Sequence, residues 1–342
     1  MNDRIKTIDS LKLIAIFFVI VIHSLPFYLQ TGMGESTLFL IINQAARFAV
    51  PAFFVLSGYL YATNFNHEQP FQTYLRSTKR LGILYIFWCV FYLLPYNISL
   101  IPNGGMNAPL DVARQHYGLW TMRWQSLLFA GSKAHLWFLP ALWLAMTIST
   151  PLIMKKNNVL LLTVAVILFI LALAGGPYKE TPLGIDVPIY TRNGPFFSMI
   201  FFTAGVILSG VKKTPQLLVW SYIIFFVGLV WHFVEVFWLR EHYRSYYIYD
   251  FNMGTLAYGI GAAMLGIYGA KPLTNSWLEK NGRYSLGIYL LHYFVIDFFI
   301  PLALPWANNI FWEIGKLFLF FLLTLWLVKK LVRYPVLKGV LE

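Results

Sequence analysis

Long apolar runs alternate with short, basic connections along almost the whole chain. A membrane-spanning helix needs about 20 mostly apolar residues. Ten runs approach or reach that length, at residues 11–30, 37–62, 81–101, 136–153, 158–175, 195–210, 216–238, 254–270, 285–301 and 310–331. Those at 195–210 and 254–270 are short. The pattern predicts an all-α, polytopic integral membrane protein of about ten transmembrane helices. It is expected to form one domain over residues 1–342, with no separate soluble unit and no internal repeat. Arg4 and Lys6 flank the first run, but no small-residue cleavage site follows it, so it is expected to persist as an anchor.

Composition agrees with this reading. Of 342 residues 58% are hydrophobic and 12% charged, against about 25% charged in a soluble domain. So few charges exclude a soluble enzyme, a disordered chain and a disulfide-framework domain. Cys89 stands alone, which excludes an internal disulfide and a cysteine-based metal cluster. With the N-terminus placed inside, sixteen Lys and Arg fall on inner connections and seven on outer ones, with Lys12, Arg47 and Lys316 in or beside spans. Basic residues favour cytoplasmic loops, so both termini are expected in the cytoplasm of a multi-pass inner-membrane protein. The net charge of +12 is then a matter of topology, and no nucleic-acid partner is expected.

Three outer connections have their own character. Residues 102–135, with Trp120 and Trp124, suit an interfacial or re-entrant segment. Residues 176–194 hold Gly176, Pro177, Pro182 and Pro188 and should be irregular. Residues 239–253 are rich in Tyr, which suits a membrane interface or stacking on sugar rings.

Ionisable groups within spans are expensive, so each is a functional candidate. His23 lies deep in the first run and Lys12 precedes it by eleven residues. Eleven helical steps of about 100° bring both onto one face, about 16 Å apart along the axis. Either Lys12 snorkels and a neighbouring helix satisfies His23, or the face carries chemistry. Arg47 lies inside the second run, four residues before Pro51, which is expected to kink that helix. Ser57 and Gly58 follow. Arg47 needs an anionic or carbonyl partner, as a structural pair or as part of a site. Arg76, Lys79 and Arg80 form a basic loop entering the third run, suited to phosphate groups or to plain topology. His135 opens the fourth run and His292 lies in the ninth, five residues before Asp297. His232 and Glu235, three residues apart, are placed to pair, and Glu313 is a weaker candidate. No phosphate-binding glycine loop, nucleophile elbow or metalloprotease motif occurs.

Taken in order, these residues resemble the membrane acyltransferase-3 superfamily over nearly the whole chain. The first-span pattern of a basic residue, ten residues and His matches Lys12 and His23, although the family most often has Arg there. Phe53, Phe54, Ser57, Gly58, Tyr59 and Leu60 match the second-span pattern. The basic stretch, His135 to Leu139 and Ser285 to His292 match three more. Two features depart from many relatives: the segment after His135 has no carboxylate, and the chain stops soon after the last span. The Arg47, Val50, Pro51, Phe53 and Phe54 version resembles the branch that includes the O-acetyltransferase of enterobacterial common antigen.

The resemblance implies transfer of an acyl group, usually acetyl, from cytoplasmic acetyl-CoA to a hydroxyl of a cell-surface glycan or lipid-linked saccharide, with membrane lipids around it. It implies acetyl-CoA as donor substrate, with no permanently bound cofactor and no metal. Lys12, Arg76, Lys79 and Arg80 would hold the acyl-CoA phosphates. His23 would act as base or as transient acyl carrier, with Arg47 and Ser57 as oxyanion donors. His135, Trp137 and His292 would hold the acceptor. A permease for a glycan or lipid precursor is the main alternative, and its paired, broken helices in two halves are not found.

Overall fold

The computed structural model describes residues 5–26, 37–93, 128–243, 249–303, 306 and 309–341. These form α-helices joined by turns and short loops, with no strand among them. The basic residues Arg4, Arg114, Arg123 and Arg244 and the Trp120–Trp124 segment lie outside the described residues.

The helices follow the apolar runs closely. They are α1 (Lys6–Ser24), α2 (Thr37–Ala45), α3 (Ala49–Thr63), α4 (Pro70–Leu93), α5 (Phe138–Met154), α6 (Asn158–Ala174) and α7 (Pro195–Ser209). Then come α8 (Pro215–Tyr243), α9 (Met253–Ile267), α10 (Ser276–Gly282), α11 (Ser285–Ala303), α12 (Ile310–Leu331) and α13 (Pro335–Leu341). Among the described residues four stretches are long and apolar enough to cross a membrane: Lys6–Ser24, Thr37–Thr63, Pro215–Tyr243 and Ile310–Leu331. Five shorter helices are apolar as well, including those at the two short runs.

Two local expectations are corrected. The second run is not one kinked helix but two helices separated by a turn at residues 46–48. Pro51 cannot donate to the carbonyl of Arg47 and is tolerated in a first helical turn, and here it is the third residue of α3. Arg47 therefore sits in the turn. Arg76, Lys79 and Arg80 are not on a loop. They lie within α4, which starts at Pro70 and continues into the third run.

α1 is the central helix, packed against α3, α9, α10, α11 and α12. One apolar core gathers α3, α5, α6, α7 and α9, and a second gathers α1, α4, α11 and α12. Small residues permit the closest contacts, as is common between membrane helices. A Cβ on Gly58 would lie 2.0 Å from the Phe202 carbonyl oxygen, and one on Gly205 would lie 2.0 Å from that of Val55. These two glycines lock α3 against α7. Away from the cores, α6 and α8 turn Val159, Ile170, Phe226, Val230 and Val234 outward. Such an apolar exterior suits lipid, because each helix satisfies its own backbone.

Candidate active site

A cavity of about 410 Å³ lies at the seam between the two cores. α1 forms one wall, and its register places Lys12, Val19 and His23 on that wall. Asp9, Lys12, Arg80 and Arg283 gather at one end. Lys12 Nζ stands 3.8 Å from Asp9. The wall then turns apolar, with Val19, Val50, Phe53, Leu56 and Leu84. The other end presents His23, His135, Trp137 and Tyr289, and Ser57 lines the wall from α3. A path thus leads from cations on α1, α4 and the α10–α11 turn to two imidazoles.

The imidazole end is tightly organised. His23 Nδ1 and the Tyr293 hydroxyl lie 2.9 Å apart. The His23 ring centre is 5.4 Å from that of His292, and His135 is 5.0 Å from His292. His135 stacks on Tyr293 at 4.8 Å. His292 Nδ1 is 2.6 Å from the Tyr289 carbonyl, which only accepts, so Nδ1 carries a proton. Both ring nitrogens of His135 and Nε2 of His292 are buried without a protein partner among the described residues. Buried polar atoms of this kind call for a partner.

An ionic cluster stands beside this end. Asp250, in the loop before α9, accepts from Arg47 Nη1 on Oδ1, and from Arg192 Nη1 at 2.7 Å and the Tyr190 hydroxyl at 2.5 Å on Oδ2. Asn43, one turn before Arg47 in chain order, accepts from Arg47 Nε and Nη2 through one oxygen. The Arg192 guanidinium lies 4.7 Å from the ring centres of both Trp137 and Tyr190. Burial alone pushes the Asp250 carboxyl up. The Arg192 and Arg47 charges and the Tyr190 hydroxyl outweigh it and bring it down to about 2.

Of the residues singled out in the sequence, Lys12, His23, Ser57, Arg80, His135 and Trp137 line the cavity. Arg76, Lys79, Arg47 and His292 do not. Arg76 and Lys79 are exposed on α4. Arg47 is buried in the Asn43–Asp250 network, and His292 sits behind His23 and His135. His232 and Glu235 do not pair with each other. His232 Nε2 faces Gln44 at 3.0 Å and Nδ1 faces Asn252 at 2.8 Å. Glu235 accepts from the backbone N–H groups of Met253 and Gly254 at 2.9 and 2.7 Å. The start of α9 offers unpaired N–H groups and the positive end of a helix dipole, which hold a carboxylate. Glu313 pairs with Lys316 at 2.7 Å and Asp297 with Lys133 at 2.5 Å.

The sequence reading missed Arg283, Tyr293, Asp250 and Arg192. Arg283 counted only toward topology. Tyr293 directly follows His292, and a hydroxyl beside a motif histidine was a usable signal. Asp250 was one of only 14 acidic residues in the chain and lay within the Tyr-rich connection.

Apolar helices, an apolar exterior and an internal cavity joining cations to imidazoles define a helical membrane protein with a site between its helices. Residues 5–329 match the acyltransferase-3 family, described as an acyltransferase domain, and the chain belongs to that family. It thus carries an acyltransferase-3 domain, and its apolar helices suit a membrane. Curated relatives include an amino-acid racemase of Enterococcus faecalis, 24% identical over 249 residues that make up 67% of this chain and 33% of that protein. A serine/alanine racemase of Enterococcus gallinarum is 25% identical over 318 residues, 85% of this chain and 41% of that protein. The chain spans less than half the length of these relatives. No solved structure matches it.

Proposed function

We propose that the protein is an O-acyltransferase of the inner membrane that moves acetyl from cytoplasmic acetyl-CoA to a hydroxyl of a cell-surface glycan or lipid-linked sugar. The observation that carries this reading is the single cavity with Lys12, Arg80 and Arg283 at one end and His23 and His135 at the other. In this reading ten helices cross the membrane with both termini in the cytoplasm, and the cationic end faces inward. Acetyl-CoA is an anion that arrives from that side, and guanidinium and ammonium groups suit its phosphates. The apolar middle admits the thioester arm and limits water. The acceptor enters from the imidazole end.

His23 is held through Nδ1 by Tyr293, and Nε2 has no hydrogen-bond partner among the described residues. It takes the proton of the acceptor hydroxyl as that oxygen adds to the thioester carbonyl. Ser57 donates to the developing oxyanion, while the Arg47–Asp250–Arg192 cluster supplies fixed charge nearby. Collapse breaks the carbon–sulfur bond and leaves an ester on the acceptor. The imidazolium returns the proton to the coenzyme A sulfur. In the covalent variant, His23 itself adds to the carbonyl, coenzyme A leaves as thiolate, and the acceptor hydroxyl then takes the acyl group from nitrogen and gives its proton to that thiolate.

The experiment is transfer of labelled acetyl from acetyl-CoA into a glycan fraction, using membranes with wild type, His23→Ala or Lys12→Ala. Base-labile label in wild type, lost with His23→Ala and weakened with Lys12→Ala, is the expected result. Label that survives His23→Ala removes the assigned base but keeps the acyl transfer. No transfer from acetyl-CoA to any acceptor fraction shifts the weight to another acyl donor, and then to a permease.

A further inference from the structure

Arg47 and Arg192 hold Asp250 in matching ways, each through Nη1 to a different carboxylate oxygen. They differ on the opposite edge of the guanidinium. Arg47 donates from Nε and Nη2 to Asn43 Oδ1, at 2.9 and 2.6 Å. The same Nε/Nη2 edge of Arg192 has no hydrogen-bond partner among the described residues, and its Nε is buried. That edge presents two parallel N–H groups, the arrangement that binds two oxygens of a carboxylate or phosphate. A buried charged donor without a partner is costly in a folded protein.

Two further observations point the same way. The cluster holds two guanidiniums and one carboxylate, so it carries one positive charge that nothing in the cluster balances. The adjacent Asn193 Oδ1 is also buried without a partner, and it accepts only. A sugar hydroxyl next to an acidic group would supply both missing partners. The guanidinium carbon lies 4.7 Å from the ring centres of both Trp137 and Tyr190, and Trp137, though not Arg192 itself, is a wall of the cavity at its imidazole end.

We propose that Arg192 is a specificity site for an acidic acceptor. Its Nε/Nη2 edge binds a carboxylate or phosphate carried by the saccharide, while Asp250 holds the arginine in place. The inference rests on the reading that the imidazole end receives a saccharide. It narrows that reading to anionic saccharides.

The test uses the full chain purified into lipid nanodiscs and measures binding by thermal shift. The ligands are methyl β-D-glucuronide, glucose 1-phosphate, neutral methyl β-D-glucoside and, separately, acetyl-CoA. At least one acidic saccharide is expected to bind wild type tighter than the glucoside by about tenfold or more, the worth of one charge-assisted pair. Which of the two binds tells a uronic acid from a sugar phosphate. Arg192→Lys keeps a cation beside Asp250 but loses the two-pronged edge, so it should erase most of this preference while acetyl-CoA binds as before. Equal binding of all three saccharides, binding of none, or a preference that survives Arg192→Lys overturns the proposal. If Arg192→Lys does not fold, the wild-type comparison of acidic and neutral saccharides decides alone. Absence of acetyl-CoA binding speaks against the donor reading instead, and the saccharide comparison is read independently of it.

Discussion

His23 on α1 and Tyr293 on α11 are joined by a 2.9 Å hydrogen bond between the imidazole Nδ1 and the phenol oxygen. The two residues are 270 positions apart in sequence. The bond fixes the plane of the ring, and His135 stacked on the opposite partner of that bond fixes Tyr293 in turn. In the proposed mechanism His23 is the base, and a base must be held in the right direction as well as at the right place.

Tyr293→Phe should therefore lower kcat by about tenfold to a hundredfold, the scale of a modest misplacement, and leave KM for acetyl-CoA near its wild-type value. His23→Ala should reduce transfer to background. Steady-state transfer of acetyl at varied acetyl-CoA separates these effects. A Tyr293→Phe enzyme whose KM rises while kcat holds would mean that the phenol touches the donor and does not steer the base.

The cationic end makes a different prediction. Lys12, Arg80 and Arg283 line the cavity, whereas Arg76 and Lys79, exposed on α4 as Arg80 also is, do not. Replacing Lys12, Arg80 or Arg283 by Ala should raise KM for acetyl-CoA by about tenfold each, as loss of one charge-assisted contact does. The defect should shrink as ionic strength rises, because salt screens the charge that the wild type uses. Arg76→Ala and Lys79→Ala should change KM by less than about threefold, as expected for exposed charges that do not line the cavity. Equal effects at all five positions would show that general charge, not the cavity mouth, recruits the donor.

Much of this arrangement was readable from local spacing. Lys12 and His23 share a wall because eleven residues make just over three full helical turns, and no tertiary knowledge was needed for that. The helices at the two short apolar runs were also evident, since burial on all sides leaves a continuous apolar stretch. What escaped depended on contacts between distant loops. Asp250 meets Arg47 and Arg192 across 203 and 58 residues, and no periodicity encodes such a meeting. His232 and Glu235 show the opposite error. Their spacing of three put them on one face, but each found a stronger partner at the start of α9. Arg47 was noticed for its cost, and its partner lay in a connection noticed only for its tyrosines.

Gly58 carries a packing prediction. Its Cβ would collide with the Phe202 backbone at 2.0 Å, and a carbonyl in a helix cannot swing aside. Gly58→Ala should destabilise the protein by about 1–3 kcal/mol, the usual cost of overpacking, and should reduce transfer because Ser57 shifts with α3. Gly82 on α4 has nothing within 4 Å of an added Cβ. Gly82→Ala should be neutral or stabilising by about 0.5–1 kcal/mol, as Gly to Ala is in a helix. Thermal unfolding in detergent compares the pair. Equal stability of the two variants would show that α3 and α7 are not locked at this point.

Asp250 should leave a mark on the dependence of stability on pH. Its carboxyl is brought from the ordinary 3.8 to about 2, because the two guanidiniums and Tyr190 outweigh the cost of burial. A carboxylate with a lowered folded value stabilises the fold fully above its unfolded value, and loses that contribution as pH falls through the folded one. The contribution is roughly 2 kcal/mol, present at pH 7 and lost progressively between about pH 4 and pH 2. Asp250→Asn removes it at every pH and leaves Arg47 and Arg192 without their shared counter-charge. The variant should be less stable at pH 7 by about 3–5 kcal/mol, the cost of breaking a buried pair. Unfolding measured from pH 7 downward should show a constant gap between wild type and Asp250→Asn until about pH 4, and a narrowing gap below it. A gap that closes already near pH 6 would assign the pairing to a titrating histidine and not to this carboxylate.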